Sequence, residues 1–270
     1  MGAAHQPPST PPGRPLTGAE QDLITGLCAE TARLLLQHGT ESAVVESMAR
    51  RLGVALGVER IEVGVFAGSV VLETMSGGRT ITTVRRAPDR GIDMRLVTEV
   101  QRAVLAVETG ELDAAAYQAR VQGIGSRHYP RWLVAVAIGV SCACFARLAG
   151  ADWTGCGVVV VASGAAMALR QGIARLHYSP LVNFFATAFA ATSIAGLGQR
   201  LSLGSTPGAV MASSVLLLVP GFPLINGVSD MVKGYWSTGL ARLAYATLLS
   251  AAASAGTLLA VTWWGLRGRS

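Results

Sequence analysis

The chain has 270 residues, 51% of them apolar and only 14% charged, with a mean hydropathy of +0.44. Soluble domains carry about 25% charged residues, which argues against a purely soluble globule. Its high apolar fraction excludes a disordered chain, and its 32 glycines follow no triplet period, which excludes a collagen-like one. Residues 1–130 hold 13 Arg against 14 Asp and Glu, whereas residues 131–270 hold nine Lys and Arg against only Asp152 and Asp230. The net charge of +6 therefore belongs to the second half, where cations sit between long apolar runs, as in loops facing a cytoplasmic leaflet. A basic groove with interleaved aromatics is absent, so nucleic acid is not an expected partner. The four cysteines (Cys28, Cys142, Cys144, Cys156) form no CxxC pair and are expected as small buried hydrophobes; no metal site is indicated.

Residues 1–16 are proline-rich and lack the apolar core of a signal peptide, so they are expected to be a disordered tail. Residues 17–126 predict an α/β domain of two helices, a three-stranded antiparallel meander and two more helices. Thr17 and Glu20 make a capping box ahead of an apolar stripe that ends at His38-Gly39. Thr40 is the expected cap of a second helix through Leu56. Three β-rich runs follow, Ile61–Phe66, Val70–Thr74 and Thr80–Val84, separated by Gly-containing turns. Asp93 and Asp113 are placed to cap the last two helices.

From residue 127 the chain changes character. Charge-free runs cover Trp132–Ala146, Trp153–Leu169, Tyr178–Gln199, Leu201–Ser229 and Leu243–Leu266. A bilayer core takes roughly 17–25 apolar residues per helix, and the first run reaches that length if Arg147 snorkels to the interface. Five transmembrane helices are expected, at about 132–149, 153–169, 178–198, 206–231 and 241–266, with Trp132, Trp153, Tyr178, Trp236, Trp263 and Trp264 as interfacial anchors. Arg127, Arg131, Arg170, Arg175 and Lys233 fall on the cytoplasmic side of this arrangement, with Arg170 and Arg175 in a loop. Arg267 and Arg269 fall outside, against the positive-inside rule.

The fourth run is broken at Pro220-Gly221-Phe222-Pro223. Backbone groups freed by such a break cannot face lipid, and secondary transporters place solute and ion sites at discontinuous helices. Beyond the break, Asn226 and Asp230 lie four apart, on one face of a resumed helix. An amide with a protonatable acid suits a carboxylate solute and a coupled proton. Alternatively, Asp230 pairs locally with Lys233 and Asn226 pins one helix to another. In the first domain, His38, Glu41 and Glu46 are a weaker candidate cluster for metal or acid–base chemistry, and a surface helix start accounts for all three more simply. P-loop, GxSxG and HExxH motifs are missing, so an enzyme is not expected.

The segment Leu35–Glu46, the meander and above all Val219–Asp230 resemble the bacterial threonine/serine exporter family. The likeness spans roughly residues 20–266. Val219–Asp230 is similar to the family's Pro-Gly-x-Pro-Leu-x-Asn pattern followed by an acid. The order of soluble domain and five spans matches the split form of the family, in which a longer protein pairs with a short membrane subunit. The resemblance implies proton-driven export of threonine, serine or a dicarboxylate such as succinate across the inner membrane. With no translocation signal in view, the N-terminal domain is expected to be cytoplasmic, and no cofactor is expected. Longer members fuse a second membrane half; here a separate small membrane subunit or a homo-oligomer is implied instead. The residues carried over are Pro220, Gly221, Pro223, Asn226 and Asp230. The competing readings are a membrane-anchored interaction or regulatory protein and, lacking a recognisable nucleophile or metal set, a membrane-bound enzyme.

Overall fold

The computed structural model describes residues 16–125 and 129–265; the tail at 1–15, Arg127, Arg267 and Arg269 lie outside the described residues. The chain divides into two compact units. The first takes residues 16–125 together with Phe222–Leu243, and the second takes residues 129–221 and 244–265.

In the first unit, α1 (Gly18–Gln37) starts at the expected capping box, with the Thr17 hydroxyl accepting from the Glu20 amide and the Glu20 carboxylate accepting from Thr17. It ends at Gly39, whose φ of +84° needs a residue without Cβ. Next come α2 (Ser42–Ala55), then β1 (Arg60–Phe66), β2 (Ser69–Ser76) and β3 (Arg79–Arg86), paired antiparallel in sequence order. Gly77 and Gly78 both take positive φ, as a two-residue hairpin turn requires. Strand β2 is central and alternates buried with half-buried residues; Val70 and Leu72 face the core formed with Leu27, Cys28, Leu35, Val45 and Leu52. Three buried polar groups of α1 are satisfied across this core. Gln21 Nε2 donates to the Thr74 carbonyl at 3.2 Å, Thr25 and Thr74 hydroxyls meet at 2.6 Å, and Thr31 meets the Tyr117 hydroxyl at 2.6 Å. Burial pushes the Cys28 thiol up to about 12, which keeps it an inert thiol.

Helices α3 (Met94–Glu108) and α4 (Ala114–Gln122) are capped as expected, Asp93 accepting from the Leu96 amide at 3.0 Å and Asp113 from Ala116 at 2.8 Å. Asp93→Ala is expected to cost about 1 kcal/mol of stability and Asp93→Ser much less, read as the thermal midpoint of the purified chain.

Helices α5 (Arg131–Leu148), α6 (Trp153–Arg175), α7 (Pro180–Arg200) and α10 (Trp236–Trp263) are each long and apolar enough to cross a membrane. Between them lie α8 (Pro207–Ser214), a 3-10 turn (Leu216–Leu218) and α9 (Gly221–Val232), so the described residues hold four helices of spanning length, or five if this interrupted pair is one. Two expectations need correction at the helix ends. Arg170 and Arg175 are not in a loop but in the last two turns of α6, where cations suit the carbonyl-rich end of a helix. Helix α10 starts at Trp236 rather than near 241, because Arg242, which closes a charge-free window, is neutralised within the fold. Trp132, Trp153, Tyr178, Trp236 and Trp263 are all exposed near helix ends. Within the second unit, small residues let backbones approach: Ala162, Ala166, Ala188, Ala191 and Ala195 are fully buried, and the Ser163 hydroxyl donates to the Ser214 carbonyl at 3.2 Å. Cys142 and Cys156 are buried there, but Cys144 is exposed on α5, contrary to expectation, because its position turns outward from that face.

Candidate functional site

The site is built where the helix break hands over to α9. Helical hydrogen bonding stops at Val219, whose φ/ψ of −66°/118° is extended, as the residue before a proline prefers. Pro220 lies between the two helical pieces, and Pro223 falls in the first turn of α9, where a missing N–H costs nothing. The Pro-Gly-Phe-Pro segment therefore ends one helix and starts the next, with Pro220 itself buried.

Helix α9 turns a polar face inward and an apolar face outward. Asn226, Gly227 and Asp230 are buried, whereas Phe222, Ile225, Val228 and Val232 are exposed. Asn226 and Asp230 do share one face, and the structure shows what they meet. The Asn226 amide donates to the Gly39 carbonyl at 2.7 Å. One Asp230 carboxylate oxygen accepts from the Ser42 backbone N–H at 2.9 Å; the other accepts from the Ser42 hydroxyl at 2.9 Å and from the Arg242 guanidinium at 2.8 Å. Arg242 also donates to the Thr40 carbonyl at 2.9 Å. Asp230 is wholly buried, and three donors, one of them a guanidinium, are what a buried carboxylate needs.

This arrangement changes how α2 begins. Thr40 is not its cap: Glu41 holds that position without a side-chain cap bond, and the Thr40 hydroxyl has no hydrogen-bond partner among the described residues. The acceptor at the start of the helix is Asp230, 188 residues away, which suits the positive end of α2.

The rim of the cluster is also ionic. Lys233 pairs with Glu41, not with Asp230 as a local pair would have it. The Lys233 ammonium holds the Glu41 carboxyl below the usual carboxylate range, against burial, with Ser229 adding a further hydrogen bond. The Tyr235 hydroxyl donates to Glu46, so that carboxylate is partnered and half-buried rather than free in solvent. Burial, and then this contact, push the Tyr235 phenol up to about 12. Thr238 donates to the Val65 carbonyl at 2.9 Å. His38 stands apart: its Nδ1 meets the Leu34 carbonyl at 2.9 Å, within its own helix. Helices α9 and α10 cross at two glycines, since a Cβ on Gly239 would lie 2.7 Å from the Gly227 carbonyl oxygen.

Two candidate sets that the sequence kept apart, Glu41 with Glu46 and Asn226 with Asp230, are thus one cluster. Among the described residues, Pro220, Gly221 and Pro223 share no side-chain hydrogen bond with it, and no group of three His, Cys, Asp or Glu could hold a metal ion. Ser42, Arg242 and Tyr235 were missed. Electroneutrality could have found Arg242: Asp230 is one of two acids in the second half, and Gly234 with its φ of +91° folds the chain back so that Arg242 faces it.

Residues 26–264 match the family described as "Putative threonine/serine exporter". The chain is 48% identical over 250 residues to the "Probable succinate transporter subunit YjjP" of Escherichia coli (strain K12), covering 92% of this chain and 98% of that protein. The protein of the same description from Klebsiella aerogenes is 47% identical over 251 residues, covering 93% and 97%. A "Probable threonine/serine exporter" of Mycobacterium tuberculosis is 26% identical over 244 residues, covering 88% of this chain but 46% of that protein. No solved structure matches. The named relatives are transport proteins, which supports a non-enzymatic, multi-pass membrane protein. Likeness along almost the whole chain, an interrupted apolar helix and several further membrane-length helices give one conclusion: the chain belongs to the threonine/serine exporter family.

Proposed function

We propose that this chain is the larger subunit of a secondary-active exporter that carries a small dicarboxylate, succinate or a near analogue, outward across the inner membrane. Its N-terminal domain, residues 17–126, is cytoplasmic in this reading, and a separate small membrane subunit completes the carrier. Succinate is favoured over threonine or serine because the relatives matched end to end are named succinate transporter subunits, whereas the named threonine/serine exporter is matched over less than half its length.

The observation that carries the reading is the interrupted apolar helix, with Pro220, Gly221 and Pro223 at the break and Asn226 and Asp230 on the buried face beyond it. Half-helices of this kind can move as levers about the break. Proton coupling enters through Asp230. A proton on its carboxylate removes the charge that holds Arg242 and turns an acceptor into a donor facing Ser42, which loosens α9 from residues 39–42. The other groups around it are Glu41, paired with Lys233, and the Tyr235 phenol.

The test is efflux from proteoliposomes holding the chain together with the small membrane protein that the family analogy places beside it. Labelled succinate is expected to leave several-fold faster than threonine or serine when the outside is acid, and a protonophore should abolish the difference. Equal, gradient-independent leakage of all three solutes would overturn the reading.

A further inference from the structure

We propose that Arg170 receives a carboxylate group of the exported solute. This inference deepens the exporter reading and rests on it. Its ground is the accounting of cations in the apolar half. Lys233 and Arg242 have carboxylate partners, Glu41 and Asp230. Arg131 and Arg175 are exposed at helix ends. Arg147 and Arg200 are exposed too, each donating to a backbone carbonyl and stacking on a tryptophan, Trp153 or Trp264, as interfacial anchors do.

Arg170 differs from all of these. It is half-buried, and its guanidinium stacks 4.8 Å from the centre of the ring of Phe184, itself buried. No Asp or Glu pairs with it among the described residues. Of the five N–H donors that a guanidinium carries, one Nη1 hydrogen is taken up, by the Leu217 carbonyl at a long 3.3 Å. The Tyr245 phenol also acts on the guanidinium, but it is no carboxylate partner. A half-buried cation without its counter-charge is costly, and a planar fork of N–H groups is the shape that a carboxylate fits with two parallel bonds.

The surroundings hold that fork in place. Asn183 donates from its amide to the Arg170 carbonyl at 3.2 Å, and Thr187 in turn donates to the Asn183 oxygen at 3.1 Å, which fixes α6 to the start of α7. The carbonyl that Arg170 engages belongs to Leu217, in the 3-10 turn just before Val219 and Pro220. A solute carboxylate is a stronger acceptor than that carbonyl and displaces it. Solute binding therefore releases the turn next to the helix break, which links occupancy to the movable part of the chain.

The experiment uses the full chain with its membrane partner in proteoliposomes. Arg170→Gln and Arg170→Lys are compared with the parent for succinate efflux, and the purified chain is melted with and without succinate. Arg170→Gln is expected to raise KM by about tenfold or more, the loss of a paired carboxylate contact, with far less change in kcat. Arg170→Lys keeps the charge and lies between. Succinate should raise the melting temperature of the parent but not of Arg170→Gln. Succinamate, with one carboxylate made an amide, should also bind more weakly to the parent. An unchanged KM in Arg170→Gln overturns the inference. So does a fall in kcat alone, which marks a structural anchor. Should Arg170→Gln fail to accumulate, the KM of Arg170→Lys decides, and a parent-like value overturns it. Absence of any succinate movement by the parent overturns the exporter reading itself, and this inference with it.

Discussion

Asp230→Ala is expected to destabilise the folded chain by about 3–5 kcal/mol, the cost of breaking a buried ion pair from one side. The reason lies in what remains behind. Of its two hydrogen bonds described above, the Arg242 guanidinium would keep the one to the Thr40 carbonyl, with Glu41 and Asp89 acting on it through space, and both the Ser42 amide and hydroxyl would lose their Asp230 acceptor. Arg242→Ala should cost a similar amount, by stranding the carboxylate. Replacing both partners at once, Asp230→Leu with Arg242→Met, should cost clearly less than the sum of the single changes, since nothing charged is then left unpaired. Thermal unfolding of the detergent-solubilised chain measures all three, and faster hydrogen exchange at the Ser42 amide locates the effect at the start of α2. A loss below about 1 kcal/mol for Asp230→Ala, the scale of an exposed pair, would contradict the buried ligation described above. Asp230→Asn addresses coupling separately: it keeps the shape but not the charge, and export should lose its dependence on external pH.

Gly256→Ala carries the second large effect. A Cβ at this position of α10 would stand 2.2 Å from the Phe185 carbonyl oxygen and 3.2 Å from Ala188 Cβ, both on α7. A backbone oxygen cannot swing aside, so the two helices must part. Overpacking of this kind costs about 1–3 kcal/mol and sometimes more. Gly157 and Gly172 on α6 supply the control. A Cβ at either meets nothing within 4 Å, so alanine there should be neutral or stabilising by up to about 1 kcal/mol through helix propensity alone. Yield and melting temperature of the three variants, measured side by side, check the contrast.

Locally coded features were legible in the sequence. The Thr17–Glu20 box, the Asp93 and Asp113 caps, the Gly77-Gly78 turn and the order of the meander all depend on residues within a few positions of one another. The apolar helices and the break before Gly221 were legible for the same reason, because length, hydropathy and proline chemistry act along the chain. Helix ends were less so: Arg170, Arg175 and Arg242 interrupt a charge-free window without interrupting a helix. The candidate cluster was legible only in parts. Asn226 and Asp230 stood out as polar residues in an apolar run, and Glu41 and Glu46 as acids near a helix start, but their meeting depends on pairings of 187 to 192 residues' separation that leave no local pattern. Thr40 was mistaken for a cap because the true acceptor, Asp230, comes from another part of the chain.

The division of the first unit into two stretches has a consequence for biosynthesis. The ribosome delivers residues 16–125 first and Phe222–Leu243 only after α5 to α8 have emerged. Until then the nascent α/β body has no Asp230 to receive the Ser42 amide and no Asn226 to donate to Gly39, so its α1–α2 corner is solvated rather than closed. Closing it so late spends loop entropy and makes completion of the early body conditional on insertion of the intervening helices. An excised fragment ending after α4 would preserve that unfinished intermediate, and restoring its corner calls for a grafted α9–α10 hairpin.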